Sequence, residues 1–586
     1  MSLMLKSAIT SAAVLLVAGT LYKRRVLSPH GTFFGAVIAA ITSILFKQKQ
    51  LQAITRWHAG DSSSRCDDSV PRIELFPSIA DPHTYVLLQA IQSTVRNFKC
   101  EVQIFAVSPR RARYQLEGLS TFERFQQAAN DRLRLEGVDN TDSGKFYEQP
   151  TSWGIEDGHS TSANNQYEWG VLDAKLSAKV HGLRAFVPPP LQVRSKLEYV
   201  ADAALLCCLH QYGRGWNPVL NATETIEFCV EALHIADMLS KEDESGLFAA
   251  AAAIGARGAQ FEGSARELSE EPATSVFNAN HEHLGKKRKH YLPGMLYYSS
   301  EFYWGTDRLN FLEQRLFSMG CATNNSNNNS NNMDPTAAPL KWRNQYELEC
   351  QSSVVYPTTF TNLSPSLLSG HDDPDNCLVM YYSFRSPYSQ IAVARFFAIA
   401  RHHRVPCMVR PLLPMVMRPN PLAVPRVKSM YIMMDTSREG HRVGYTGIGM
   451  CDPVGPGTIR AFAVWHSVVA PQKNVNVEES FLRSFSTHVW SNGVDFASDA
   501  GAKVVCEGAG LSWSQCLCAM KPSGLGVRQH WQEKESSDRE LCAKSGLWGV
   551  PSFTFKSASM WGQDRMKALE MTILEDQRFR VVAPKM

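Results

Sequence analysis

The chain has 586 residues, 44% of them hydrophobic and 20% charged, with a formal net charge of +4. At roughly 100 to 200 residues per domain this length holds two to four folded units, and so small a charge gives no electrostatic reason to expect a nucleic-acid partner. The 14 cysteines lack Cys-x-x-Cys or any regular spacing, which excludes a disulfide-stapled mini-protein and argues against a metal site; they read as reduced packing residues, including Cys207-Cys208 and the Cys516/Cys518 pair in helices.

Residues 1–60 contain no Asp or Glu, and two apolar runs, Ser7 to Tyr22 and Thr32 to Phe46, flank Lys23-Arg24-Arg25. Each run is short for a membrane span of about 20 residues. The segment reads as a membrane anchor of a mitochondrial protein, with a cleaved presequence as the alternative. The tail Pro584-Lys585-Met586 is a loose match to a peroxisomal signal, and the sequons at Asn221 and Asn362 matter only in a secretory lumen.

Past a polar stretch, a first unit is expected over 70–320. Ile73 to Phe76 reads as a strand, Asp81-Pro82-His83-Thr84 opens an apolar helix to about Phe98, and Cys100 to Val107 is a second strand. The long middle is helical by its periodicity, for example Leu197 to Leu209. Tyr291-Leu292-Pro293-Gly294-Met295 then leads to Trp304-Gly305-Thr306-Asp307-Arg308 and a Leu- and Phe-rich helix. An Asn/Ser-rich run at Asn324 to Asn332 cannot build a core, so 321–375 reads as linker.

The same order returns in 376–586. Leu378 to Tyr382 is a strand, and Ser386-Pro387-Tyr388-Ser389 opens a helix to about His402, with a capping Ser before a Pro at the first helical position. Cys407 to Leu413 is the second strand, and the middle is again helical, as at Ile459 to Val468. Gly549-Val550-Pro551 precedes a β run, then Trp561-Gly562-Gln563-Asp564-Arg565 opens the last helix. Trp561 follows Pro551 by 10 residues and Trp304 follows Pro293 by 11. Each unit is therefore expected to be an α/β domain with a four-stranded mixed sheet, because the first two strands need a crossover helix to run parallel.

These motifs, with Asn420-Pro421, Lys428-Ser429-Met430-Tyr431, Asp435 and the Asp452-Pro453-Val454-Gly455 turn, resemble the kappa-class glutathione transferases and 2-hydroxychromene-2-carboxylate isomerases of the DsbA-like thioredoxin superfamily. The resemblance implies two tandem thioredoxin-like domains and glutathione as cosubstrate. Ser386 would be the catalytic residue, its hydroxyl and the helix amino terminus stabilising the glutathione thiolate. Val550 and Pro551, the latter as the fold's cis-proline, would pair with the cysteinyl backbone. Gln563 and Asp564 would hold the γ-glutamyl end, with Asn420, Lys428 and Tyr431 completing the site. The thiolate would add to an electrophilic, aromatic or unsaturated substrate, and either remain as a conjugate or leave after isomerisation. Met415, Met417 and Trp465 are candidates to line an apolar substrate pocket.

The first unit departs from that pattern. Asp81 stands where Ser386 does, and aligning Asp131 with Asp435 puts Arg124 and Gln127 at Lys428 and Tyr431. It reads as a degenerate copy that packs on the second as an intramolecular pseudo-dimer. The competing functions are a protein-disulfide oxidoreductase, for which Ser386 to Ser389 supplies no cysteine, and a non-catalytic membrane-tethered scaffold.

Overall fold

The computed structural model describes residues 70–108, 158–187, 191–212, 214–247, 249–250, 272–288, 290, 292–323, 367–370, 376–414, 426–442, 456–521, 525–547 and 549–582. The amino-terminal apolar segment, the Asn/Ser-rich run, Asn420, Met415, Met417, the 452–455 turn and the positions Arg124, Gln127 and Asp131 lie outside them. Among the described residues no helix is long and apolar enough to cross a membrane, and no cluster of His, Cys, Asp and Glu could hold a metal ion.

The first sheet is built on β1 (Arg72–Phe76), buried from its second residue onward. Helix α1 (Pro82–Asn97) crosses over to β2 (Glu101–Ile104), which runs parallel to β1 with Ile73 opposite Val102. Helices α2 (Gly158–His181) and α3 (Leu191–His210) follow, then β3 (Val219–Leu220), α4 (Ala222–Ser240) and α5 (Pro272–Glu282), which continues as a π-turn to Arg288. The hairpin β4 (Met295–Tyr298) and β5 (Glu301–Trp304) closes the sheet, and α6 (Leu309–Ser318) ends the unit. The spatial order is β3-β2-β1-β4-β5. This corrects the expected four strands to five: β3 is two residues long, too short for any periodicity, and exists because it pairs with the free edge of β2 at Val102 and Gln103. Asn221, the sequon residue, caps α4 and exchanges hydrogen bonds with Glu224 in a capping box.

The second sheet repeats the connections without the fifth strand. Strand β6 (Leu378–Tyr382) is buried at all five positions, α7 (Pro387–His403) crosses to the parallel strand β7 (Cys407–Pro411), and the order is β7-β6-β8-β9. Between β7 and the hairpin of β8 (Ser552–Phe555) and β9 (Ala558–Trp561) come α8 (Arg426–Arg442), α9 (Pro456–Val464), α10 (Val475–Phe485), α11 (Asp499–Gly508), α12 (Trp513–Met520) and α13 (Leu525–Lys544); α14 (Met566–Val582) is last. Burial of β6 on both faces follows its alternation. Leu378, Met380 and Tyr382 join the core under the helical insertion, while Val379 and Tyr381 face a smaller cluster with Leu547.

Each sheet has its own apolar core. In the first, Leu87, Ile91, Leu205, Phe228, Ile235 and Leu312 pack together; in the second, Phe384 is ringed edge-on by Phe462, Trp465, Phe481 and Phe485. Trp465 is 2% exposed, so it is a core residue and not the lining of an open pocket. Leu176 and Val180 of α2 pack against the second core, which joins the halves. All described cysteines are free, and all but Cys518 are buried.

Candidate functional site

The site forms where β6 hands over to α7. Ser386 caps α7: its Oγ accepts from the Ser389 amide at 3.2 Å, and Pro387 occupies the first helical position, where an amide would have no intrahelical partner. The turn behind it is held from three directions. Ser389 Oγ accepts from the Ser383 amide at 3.3 Å, Tyr382 donates its hydroxyl to Gln390 at 2.7 Å, and the Trp490 indole donates to the Phe384 carbonyl at 2.9 Å. Ser386 itself is half-buried. Its hydroxyl donates to the Val550 carbonyl at 3.4 Å, a long bond that costs little to redirect toward a thiolate.

Val550 precedes a cis peptide bond to Pro551. The loop is tight at Gly549, where an added Cβ would lie 2.5 Å from the Trp561 indole nitrogen. Pro551 accepts from the Gly562 amide at 2.9 Å, which ties the proline loop to the turn that opens α14. Ser386, Val550 and Pro551 are thus brought together.

The other expected contacts are distributed differently. Gln563 is fully buried; its amide nitrogen donates to Glu439 at 3.1 Å and its oxygen accepts from Arg395 at 2.5 Å, so its polar atoms are committed inside the protein instead of lining a ligand groove. Asp564 accepts two bonds from Arg308 of the first half, at 2.7 and 3.2 Å, and its side chain remains 17% exposed. Tyr431 packs edge-on to His290 at 4.8 Å and near Phe302, both from the first half. Lys428 lies on α8, one turn before Tyr431.

Arg308 and Arg565 occupy the same place in their two motifs, and they reach across reciprocally. Arg308 binds Asp435 with Nε at 2.8 Å and Nη2 at 2.7 Å, and approaches Glu439 at 3.4 Å. Arg565 binds Asp173 at 2.6 and 2.7 Å and Asp307 at 2.9 Å through both amino groups. Tyr388 donates to Asp435 at 2.6 Å, and His83, at the same place on α1, stands 3.4 Å from Asp173. Asp173 of α2 thus stands beside His83 and Arg565 as Asp435 stands beside Tyr388 and Arg308, while Asp131, the residue aligned with Asp435, lies outside the described residues. Strand register corrects another match. Met295 pairs with Trp304 as Ser552 pairs with Trp561, so Gly294, not Pro293, stands at the Pro551 position. Gly305 donates to Gly294 at 2.9 Å, as Gly562 does to Pro551. These cross-unit arginines were invisible to motif reading, although the repeated Asp-Arg pair was the available signal.

Burial sets the electrostatics. It pushes the Asp564 carboxyl up to about 6, against the pull of Arg308 and with help from Asp307 and Glu439. Burial pushes Asp435 the same way, yet Arg308 and Arg438 outweigh it and hold that carboxyl well below its usual range. Asp307 is likewise drawn down to about 2, burial being outweighed by Arg565. The Tyr388 phenol is raised far above its usual range by burial and then by the Asp435 charge.

Residues 377–574 match the DSBA-like thioredoxin domain family, and the chain carries a domain of that kind there. Among solved structures it is similar to a 2-hydroxychromene-2-carboxylate isomerase (HCCA isomerase), at 18% identity and TM-score 0.30, covering 35% of this chain and 100% of that one. A Nitrosomonas europaea protein described as a putative protein disulfide isomerase is similar at 12% identity and TM-score 0.26, over 34% of this chain and 99% of that one. No curated protein matches the chain.

Proposed function

We propose that the second half is a glutathione-dependent transferase or isomerase in which Ser386 activates the thiol. The observation that carries this reading is the pairing of a half-buried serine hydroxyl at the start of α7 with the Val550 carbonyl, 3.4 Å away, just before cis-Pro551. A thiolate placed there receives the Ser386 hydroxyl proton as a hydrogen bond and meets the positive end of the helix. Glutathione's cysteinyl backbone lies along Val550 in strand-like fashion. Asp564 suits the ligand's ammonium, because its carboxyl is under-compensated where it stands and a nearby cation favours its ionised form. Asn420 and Lys428 remain proposed contacts; Gln563 supports the site from behind.

In the reaction, the glutathione thiol releases its proton to solvent and sulfur forms a bond to an electrophilic carbon. On an unsaturated substrate the carbanion so formed takes a proton to give a conjugate, or expels sulfur after bond rotation to give the isomer; on an activated aromatic carbon the anionic adduct expels its leaving group, such as chloride, to give the conjugate. A disulfide oxidoreductase has less support, since Ser386 to Ser389 contains no sulfur nucleophile. The shared strand connections and reciprocal Asp-Arg turns support the first half as a degenerate tandem copy, with Asp81 in the serine position repelling a thiolate. Residues 1–60 are proposed to tether the protein to a membrane, the mitochondrial one first.

Calorimetric titration of glutathione into the full chain tests this. Ser386→Ala is expected to bind within about threefold of wild type and Asp564→Asn about tenfold more weakly, roughly 1.4 kcal/mol. Absence of binding in folded wild-type protein at millimolar ligand overturns the proposal and leaves a scaffold as the better account.

A further inference from the structure

One guanidinium of the first half touches both walls of the Ser386 site. On one side, Arg308 grips Asp435 of α8, and Asp435 accepts from the Tyr388 hydroxyl at 2.6 Å, two residues beyond Ser386 in the first turn of α7. On the other side, Arg308 grips Asp564 at 2.7 Å, in the turn whose Gly562 amide holds the Pro551 carbonyl. Arg308 is 2% exposed and Asp435 1% exposed, so the contacts are shielded from water and salt. Arg438 takes the remaining edge of Asp435 at 2.7 Å and donates to the Phe302 carbonyl of the first half.

We propose that Arg308 is a positioning residue for the Ser386 site, acting through Asp435 and Tyr388 to fix the first turn of α7 against the Pro551 loop. The first half is then a built-in activator of the second. A bidentate Arg–Asp pair has a defined direction, and a phenol hydrogen-bonded to that fixed carboxylate can sit in one place only. The helix turn that carries Tyr388 also carries the amides of Ser389 and Gln390, both bonded to Ser386 atoms. A shift of Tyr388 therefore moves the serine and the helix end together, and thiol activation depends on both. In the mirror arrangement, Arg565 grips Asp173 beside His83, but the capping residue there is Asp81. The clamp is thus present twice, and the activating hydroxyl once.

The chemical consequence rests on the glutathione reading; the geometric one does not. The test uses the full chain with Tyr388→Phe, Arg308→Leu, Arg308→Lys and the double variant Tyr388→Phe/Arg308→Leu. Tyr388→Phe is expected to leave the glutathione Kd within about threefold, lower kcat toward a chlorodinitrobenzene electrophile about tenfold, and raise the bound thiol's pKa by about one unit. Arg308→Leu does the same or more, Arg308→Lys restores part of the rate, and the double variant falls no further than the worse single one, as one shared path requires.

Multiplicative losses in the double variant, or a Tyr388→Phe enzyme with unaltered kcat and thiol pKa, overturn the proposal. Hydrogen exchange at the Ser389 and Gln390 amides reads the same relay without ligand or turnover. Faster exchange in Tyr388→Phe supports it and unchanged exchange overturns it, even if Arg308→Leu fails to fold. Wild-type protein that binds no glutathione refutes the reading of the site alone, and the exchange measurement still decides the relay.

Discussion

At Asp564 a short ion pair and a raised pKa coexist, and the sum of its surroundings decides what the residue contributes. Arg308 binds it, but burial, Asp307 and Glu439 push the other way, and the carboxyl titrates near 6 instead of near 3.8. Between these values the folded protein holds a proton that the unfolded chain has released, so stability from this group is present at low pH and is lost as pH rises through about 6. Asp564→Asn is expected to raise stability at pH 7 by about 1 kcal/mol and flatten the fall between pH 4 and 6, because Arg308 keeps Asp435 as a partner. Chemical denaturation across that range checks it; a loss above about 1 kcal/mol would show that the ionised pair is worth more than its burial costs. Asp564 and Ser386 were legible as candidates from their motifs, whereas the partners of Asp564 were not. Arg308 lies 256 positions away, and nothing local indicates which carboxylate it meets.

For the elements, capping chemistry carried most of the information. Ser386 before Pro387 and Asp81 before Pro82 both stand at helix starts, where sequence alone placed them, since a cap needs only a short polar side chain and a tolerated proline. Asp81 accepts from both the Thr84 amide and its hydroxyl at 2.7 Å. Asp81→Ala should therefore destabilise the first half by about 1 to 2 kcal/mol in thermal or denaturant unfolding, and Asp81→Ser by much less. Equal losses for the two would mean that the carboxylate charge, not the cap, matters there. The alternation in β6 was also readable. Strand β3 was not, because two residues carry no pattern, and the Gly294 register was missed because a proline was a more conspicuous landmark than the pairing of Met295 with Trp304.

Across the whole molecule, two sheets of like connection are locked by two reciprocal arginine turns. Each arginine is all but inaccessible and serves carboxylates on the opposite half, so removing one strands charge in the interior. Arg565→Leu leaves Asp173 and Asp307 without their main partner, and should cost about 3 to 5 kcal/mol. Below pH 4 the wild type should weaken as well: Asp307 and Asp435 have lowered pKa values, so their contribution is full above about 3.8 and is lost as pH falls toward 2. Asp564 shifts stability the opposite way over this range, so the comparison is made in its absence: unfolding of Asp564→Asn with and without Arg565→Leu at pH 3 and pH 7 separates the two effects, and equal stability of Asp564→Asn at both pH values would contradict this assignment. The repeat of motifs was readable as a shared order of strands and helices, which the two sheets have. How they meet was not legible, because an interface depends on which surfaces face each other, and sequence order is silent on that.

The most direct test of the central claim is the ultraviolet titration of glutathione's thiol bound to the full chain, in wild type and in Ser386→Ala. In wild type the bound thiol is expected to ionise well below its free value near 8.5, and in the variant to return by at least about one unit toward it, with similar affinity. A bound thiol whose pKa matches that of free glutathione, or one that Ser386→Ala leaves unchanged, would contradict thiol activation by Ser386.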